Sequence, residues 1–499
     1  MRTRKLLLPF LLPLVVLGSC TTARTGPSFP PSARPIPATF PPLSVHGLPS
    51  ACTGKVYYEA STSLCAAGLT FFLCDGNSYT HYDCTRPGDG WTRETLTQYD
   101  RVATGPPACG PASDALSGTV FVEANAAAPG QNAILAYRYC NGSMPALLVG
   151  RYLTGGTGGA DLNDNGFLDA DQQVITNADQ TLLFAVNQGS DTIAVFHIGA
   201  NGVLNAVAGS PFASGGIAPA SVGISGNVLI VANKASDGVR ALPDAIPSFA
   251  TFLIQPEGGL VPTGKSHALP AKSSPTQAFV APGGKLLFGT EETGLLRALQ
   301  ISPDGTLTLA PGSPLTLPDS LFLETDGGRP RIVWPAGLSA HPTQGVLYTG
   351  IPNSSSIASL DFTPDGTLSV IGGTVDRNSY LPCWSVVSQD GRRLYVANAG
   401  SGNLSVFDIA TDARHPKVLQ TYTLQGGGNP WGLQLDGTGT ILFVTAPRQV
   451  HQVPLGQGQF LHGLKLTADG LIDEELAGSP VVLPVAPLTN PLGVAVVAK

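Results

Sequence analysis

A chain of 499 residues with a formal net charge of −7 carries only 12% charged residues but 60 glycines and 43 prolines. The acidic balance and the lack of clustered cations exclude nucleic acid as a partner, because phosphate neutralisation needs grouped Lys and Arg. Glycine and proline at this level suit a turn-rich all-β protein, and the length is ample for a large core.

Residues 1–19 read as a signal peptide. Arg2, Arg4 and Lys5 precede an apolar run from Leu6 to Leu17, and Leu17-Gly18-Ser19 leads into Cys20. A Cys directly after Gly-Ser, with Leu three residues earlier, is the bacterial lipoprotein box, so Cys20 is expected to carry a lipid and join the chain to the membrane. Thr21 is not the Asp that retains lipoproteins at the inner membrane, which favours the outer membrane in a double-membraned bacterium. The apolar run is short for a transmembrane span, and no later segment is apolar enough to cross a bilayer. Without the leader the chain has 24 basic and 34 acidic residues, a net charge of −10. Residues 20–50 form a Pro-rich spacer, extended to as much as ~90 Å at ~3.1 Å per residue.

Residues 51–110 form a small Cys-rich β module. It holds Cys52, Cys65, Cys74, Cys84 and Cys109, with Cys140 soon after, and aromatics alternate within Val56–Tyr58, Leu69–Leu73 and Tyr79–Tyr82. An exported module this small needs staples, so these six cysteines are read as disulfides, with the pairing left open. The spacing lacks the C-x₂-C knuckle of a zinc site. The turn Cys74-Asp75-Gly76-Asn77-Ser78-Tyr79 offers aromatics either to a glycan or to the module's own core.

Asp161–Gln172 (DLNDNGFLDADQ) places oxygen-bearing Asp161, Asn163, Asn165 and Asp169 at positions 1, 3, 5 and 9, with Gly166 at 6. That is calcium-loop spacing. Gln172 stands where the bidentate Glu belongs, and no helical pattern flanks the loop. Calcium is the one cofactor suggested; a plain polar loop is the preferred reading.

From Leu182 the chain repeats itself. Leu182–Phe212 reads as strand, turn, strand, turn, strand, with Asn187 closing the first strand. The Asn-terminated strand returns as Leu229–Asn233 and Leu394–Asn398, with degenerate copies at Leu286–Thr290, Val346–Gly350 and Ile441–Thr445. Asn in that place is expected to adopt left-handed angles and bond its own turn. Asp-Gly turns recur at 304–305, 365–366 and 469–470, and Gly-Ser-Pro exits at 209–211, 312–314 and 478–480. A Pro opens most units, at 219, 275, 335, 382, 430 and 491; in the unit containing Leu182 that place is taken by Asp171 or Gln172. Such units describe the blades of a seven-bladed β-propeller. The last opening site lies close to Lys499, so Pro491–Lys499 supplies one strand, and Thr119–Asn125, Ala133–Tyr139 and Ala146–Tyr152 supply the other three. The propeller is therefore expected over residues 118–499, closed by strands from both ends.

The residues VNQGSDTIAVF (186–196), GSPF (209–212), the Pro-Asp-Gly-Thr-Leu turns at 303–307 and 364–368, and YVANAGSGNLSVF (395–407) resemble the lactonase-type seven-bladed propellers related to bacterial 6-phosphogluconolactonase. The resemblance implies lactone opening, with His, Arg and acidic residues near the mouth of the central channel. The family's Pro-His-Pro-His and Gly-Pro-Arg-His stretches are absent. His341 reads as a turn residue, His197 and His462 as blade-face residues, and His415 as loop.

What collects before the channel-side strands is Arg329, Arg331 and Trp334, then Asp376, Arg377 and Asn378, then Trp384 and Trp431. Arg331, Asp376 and Arg377 are the catalytic candidates. Arg329, Trp334, Asn378, Trp384 and Trp431 are the candidate binders of an anionic or sugar-like ligand. In the alternative, preferred reading the tryptophans pack between blades and the charges are solvated loop. Cys383 reads as a buried free thiol. Two functions follow. The first, preferred on residues alone, is a monomeric envelope lipoprotein that binds a polymer, sugar or protein partner. The second is a hydrolase opening a lactone or related ester at the channel mouth. A phosphorylated sugar lactone is disfavoured for an exported chain. Fold alone decides neither.

Overall fold

The computed structural model describes residues 57–58, 70–75, 78–83 and 92–97 by backbone alone, and then 118–139, 144, 148–159, 170–236, 240, 244–321, 333–447, 459–485 and 489–498. Seven antiparallel sheets follow one another in a ring. Blades 1 to 6 begin with the strands Val174–Thr176, Pro219–Ser225, Phe279–Val280, Leu338–Ala340, Pro382–Val387 and Leu433–Leu435, and each runs outward in chain order. Blade 7 is composite. Its inner strand is Val494–Ala498, which pairs with Gly118–Glu123, followed by Ala133–Tyr139 and Leu148–Leu153. Val494 lies opposite Val122 and Val496 opposite Val120, so the ring closes as expected from the repeats. The inner strands stand side by side round the axis and all start at the same end, here called the mouth.

The core is the set of interfaces between blades. The second strand of every blade is buried along its whole length: Gly118–Glu123, Leu182–Asn187, Val228–Asn233, Leu286–Glu291, Val346–Ile351, Arg393–Asn398 and Ile441–Ala446. Such strands read as near-continuous apolar runs because both faces are covered. Alternate residues serve the two neighbours. Leu182, Phe184 and Val186 pack with Val222, Leu229 and Phe252 of blade 2, while Leu183 and Ala185 pack with Phe121, Ile134 and Ala136 of blade 7. Burying each such side chain stabilises the ring by ~1.5–3 kcal/mol.

The Asn-terminated strands are genuine, and the Asn side chain bonds its own turn as expected, though its backbone is not left-handed. Asn187 is extended, at φ −121, and the left-handed residue is Asp191 at φ 56. The Asn187 side chain acts as a clamp: its Oδ1 accepts from Asn132 Nδ2 (2.9 Å) and Thr154 Oγ1 (2.6 Å), and its Nδ2 donates to Thr192 Oγ1 (3.1 Å). Asn398 likewise donates to Asn403 Oδ1 and Ser405 Oγ. The same strand-end position holds Glu123 in blade 7 and Glu291 in blade 3, where Glu291 forms a buried ion pair with Arg297 at 2.7 Å.

The Gly-Ser-Pro exits mark blades 1, 3 and 6, whose outer strand is split into two short pieces. In each, the serine Oγ accepts a backbone N–H of the third strand: Val195 for Ser210, Ala298 for Ser313 and Gly463 for Ser479. The hydroxyl satisfies the donor exposed by the break. All three Ser-Pro bonds are cis.

Upstream, Tyr57–Tyr58, Thr70–Asp75, Ser78–Asp83 and Thr92–Thr97 form a four-stranded antiparallel sheet in chain order. The β character expected of the small module is present; its cysteine side chains, Cys140, the leader and the spacer lie outside the described residues. Among the described residues no helix is long and apolar enough to cross a membrane.

Candidate functional site at the channel mouth

Three consecutive residues, Ala170, Asp171 and Gln172, lie across the mouth. Trp431 Nε1 of blade 6 donates to the Ala170 carbonyl (3.3 Å), the Asp171 N–H donates to Thr276 O ahead of blade 3 (3.1 Å), and Val222 N of blade 2 donates to Gln172 O (3.0 Å). Blades 2 and 3 stand across the ring from blade 6. Three residues span only ~10 Å, so they can join both sides only by crossing over the axis. Gln277, fully buried, fastens this strap. Its Nε2 donates to Gln172 Oε1 at 3.0 Å and reaches Asp171 Oδ2 and Leu338 O at 3.4 Å, while its Oε1 accepts the Leu338 N–H of blade 4. Gln172 adopts φ 57, a conformation that costs a non-glycine residue ~1–2 kcal/mol and is sustained here by contacts from several blades.

Asp171 is the chemically distinctive group of the strap. Burial pushes its carboxyl up to about 6, partly offset by the hydrogen bond that Oδ1 accepts from the Gln172 N–H at 2.7 Å. Taken whole, backbone included, the residue is half-buried. Nearby on the same end, buried Lys234 pairs with Glu292 at 2.6 Å, and Arg240 grips Asp191 through two contacts of 2.8 and 2.9 Å. A carboxyl raised to about 6 is suited to general-base chemistry.

Of the residues singled out in the sequence, Trp334, Asp376, Arg377, Asn378, Trp384 and Trp431 are among those described. Arg329 and Arg331 lie outside the described residues, as do Asp161, Asn163, Asn165 and Asp169 of the calcium-like loop. Among the described residues no group of three or more His, Cys, Asp or Glu is placed to hold a metal. Trp334, Trp384 and Trp431 are all at most 4% exposed and share one inter-blade cluster, with the Trp384 and Trp431 rings 5.8 Å apart at 50°. They pack between blades and offer no open face for a sugar to stack on. Trp431 still serves the mouth, through the indole N–H that holds Ala170.

Asp376 is a structural carboxylate. Its Oδ2 accepts from the hydroxyls of Ser379 (2.8 Å), Ser405 (2.7 Å) and Thr421 (2.8 Å), and its Oδ1 accepts the Asn378 N–H (3.0 Å). Ser405 and Thr421 sit on the third and outer strands of blade 5, away from the channel. Burial pushes the Asp376 carboxyl up, but these four hydrogen bonds outweigh it and hold it below the ordinary range. Its contribution to stability is thus present above the unfolded carboxyl pKa and lost as pH falls through the folded one. Asp376→Ala, which strands three hydroxyls and an N–H, is expected to lower the unfolding free energy at pH 7 by about 3 kcal/mol, read by urea denaturation. Arg377 and Asn378 beside it are exposed.

Cys383 corrects an expectation: it is fully buried and disulfide-bonded, not a free thiol. His341 is the turn residue expected, its Nδ1 accepting from Gln344 N at 3.1 Å. His197 and His415 are exposed, whereas His462 is buried against Glu475, Nδ1 to Oε2 3.1 Å. Asp171 and Gln277 were not among the sequence candidates. The one signal for Asp171 was its place in the repeat, where it stands in the position that other units give to Pro.

The chain is a seven-bladed β-propeller. Its residues 325–438 match the family described as Lactonase, 7-bladed beta-propeller, in line with the resemblance carried by the turns and strands. Among solved structures, the periplasmic gluconolactonase of Pseudomonas aeruginosa superposes with a TM-score of 0.58 at 15% identity, over 77% of this chain and 99% of that one. A 6-phosphogluconolactonase candidate from Bacteroides fragilis gives 0.55 at 16% identity, over 78% and 99%. A protein from Lactobacillus plantarum gives 0.54 at 17%, over 77% and 100%. At these identities the likeness is one of fold. No curated protein matches the sequence.

Proposed function

We propose that the chain is an exported hydrolase that opens a lactone or related ester at the channel mouth, held to the cell envelope through a lipid on Cys20. The observation that carries this reading is Asp171, a carboxyl raised to about 6 on a strap held over the axis by contacts from blades 2, 3 and 6. In its ionised form Asp171 takes a proton from water, the hydroxide so formed adds to the lactone carbonyl, and the ring C–O bond then breaks as Asp171 returns the proton to the departing oxygen, giving the hydroxy acid. The developing oxyanion needs a cation or donor. Arg331 is proposed for that duty on its residue type alone. A calcium ion on Asp161, Asn163, Asn165 and Asp169 is proposed on spacing alone.

Fold likeness to a periplasmic gluconolactonase supports a lactone over other esters, and it weighs against the pure binding role preferred on residues alone. The test is acid release from glucono-δ-lactone and from acyl-lactones in a pH-stat, with the purified mature chain. Turnover above the spontaneous rate is expected. If no lactone is opened faster than in buffer, the binding and scaffolding reading takes its place.

A further inference from the structure

We infer that the disulfide at Cys383 ties the cysteine-rich N-terminal module covalently to the mouth of the propeller. Cys383 is bonded and fully buried, and it follows Pro382 at the very start of the blade 5 inner strand, hence at the mouth. The chain has eight cysteines, and the other seven all lie at or before residue 140. Cys140 is excluded by position. It is bonded to Tyr139, which pairs with Gly118, and Gly118 also pairs with Ala498 at the last step of the blade 7 inner strand. Cys140 therefore starts from the opposite end of the ring, two blades round. An inner strand of five residues is ~17 Å long, and a disulfide tolerates Cα atoms no more than ~7 Å apart.

Cys20 is also excluded if its sulfur carries the proposed lipid. The partner within the chain is then Cys52, Cys65, Cys74, Cys84 or Cys109. Reach is no obstacle: the nine steps from Cys109 to Gly118 extend to ~30 Å, longer than the channel strand. The bond forms by exchange. Two thiols give up two protons and two electrons to a disulfide oxidant of the exported compartment, through a mixed disulfide, and the Sγ–Sγ bond closes as the oxidant is reduced to its dithiol.

The test uses the full chain, exported and kept unreduced. Tryptic digestion releases Cys383 within residues 378–392, and mass spectrometry is expected to find that peptide joined to one carrying Cys52, Cys65, Cys74, Cys84 or Cys109, both freed by reductant. As a second measurement, a specific protease site is placed in residues 110–117. After cleavage the module stays attached until reductant is added, whereas in Cys383→Ser it separates at once. Alkylation of Cys383 without reduction, a link to Cys140, a disulfide-linked dimer through Cys383, or retention of the cleaved module in Cys383→Ser would each overturn the assignment.

Discussion

Asp171→Asn is expected to cut kcat for lactone opening by at least ~100-fold, with KM little changed, because a positioned general base contributes ~10²–10⁴ to such reactions. The substitution is conservative for the strap. An amide oxygen at 171 can still accept the Gln172 N–H, and the backbone bond to Thr276 O is untouched. What disappears is the ability to take a proton. The sign of the pH dependence follows from the same group. The wild-type rate should rise as pH increases through about 6 and level off once the carboxyl is ionised, since the ionised form is the active one. In Asp171→Asn that limb should be gone, which a merely structural role would not produce. A variant with wild-type kcat, or one that keeps the same limb, removes Asp171 from the chemistry.

A second large effect concerns stability in alkali. Glu123 ends the second strand of blade 7, is fully buried, and has its carboxyl pushed up to about 8 by burial, only partly offset by the hydrogen bond from Asn132 Nδ2 at 2.8 Å. Its other oxygen has no partner among the described residues. The folded state therefore prefers the protonated acid. That preference is a stabilisation fully present below the ordinary value of 4.5 and lost as pH rises through about 8. At pH 9 the fold must either hold an uncompensated buried carboxylate or open to hydrate it. Glu123→Gln keeps the shape and carries no charge, so it should exceed the wild type at pH 9 by on the order of a few kcal/mol and match it closely at pH 5. Urea melts at both pH values make the comparison. Parallel stability curves for the two proteins would show that Glu123 is not held neutral.

The blades were legible in the sequence because strand and turn chemistry is local. Asp304-Gly305 and its copies, the Asn-ended strands and the Gly-Ser-Pro exits each work within one sheet, so each left its mark at a fixed spacing. The mouth was not legible for the opposite reason. Asp171 owes its environment to Thr276, Val222, Gln277 and Trp431, which only ring closure brings together. The surroundings of Asp376 were hidden for a related reason. Read along the chain it is a carboxylate beside an arginine in a solvated loop; in the fold Ser405 and Thr421, both distant in sequence, donate to it. The tryptophans showed that aromatic residues gather near the inner strands but not which way their faces turn. Cys383 appeared solitary because a disulfide is a relation between two places and spacing reports only one.

The composite blade has a bearing on how the protein comes into being. Gly118–Leu153 emerge from the ribosome early and then wait, as three strands without their innermost neighbour, until Val494–Ala498 has been made. Throughout synthesis the growing ring has two raw margins that invite pairing with other chains, and the long-range join that seals them is of the slow kind. A polypeptide built this way resists early collapse into its finished form. The strand Val494–Ala498 is the latch that ends the wait.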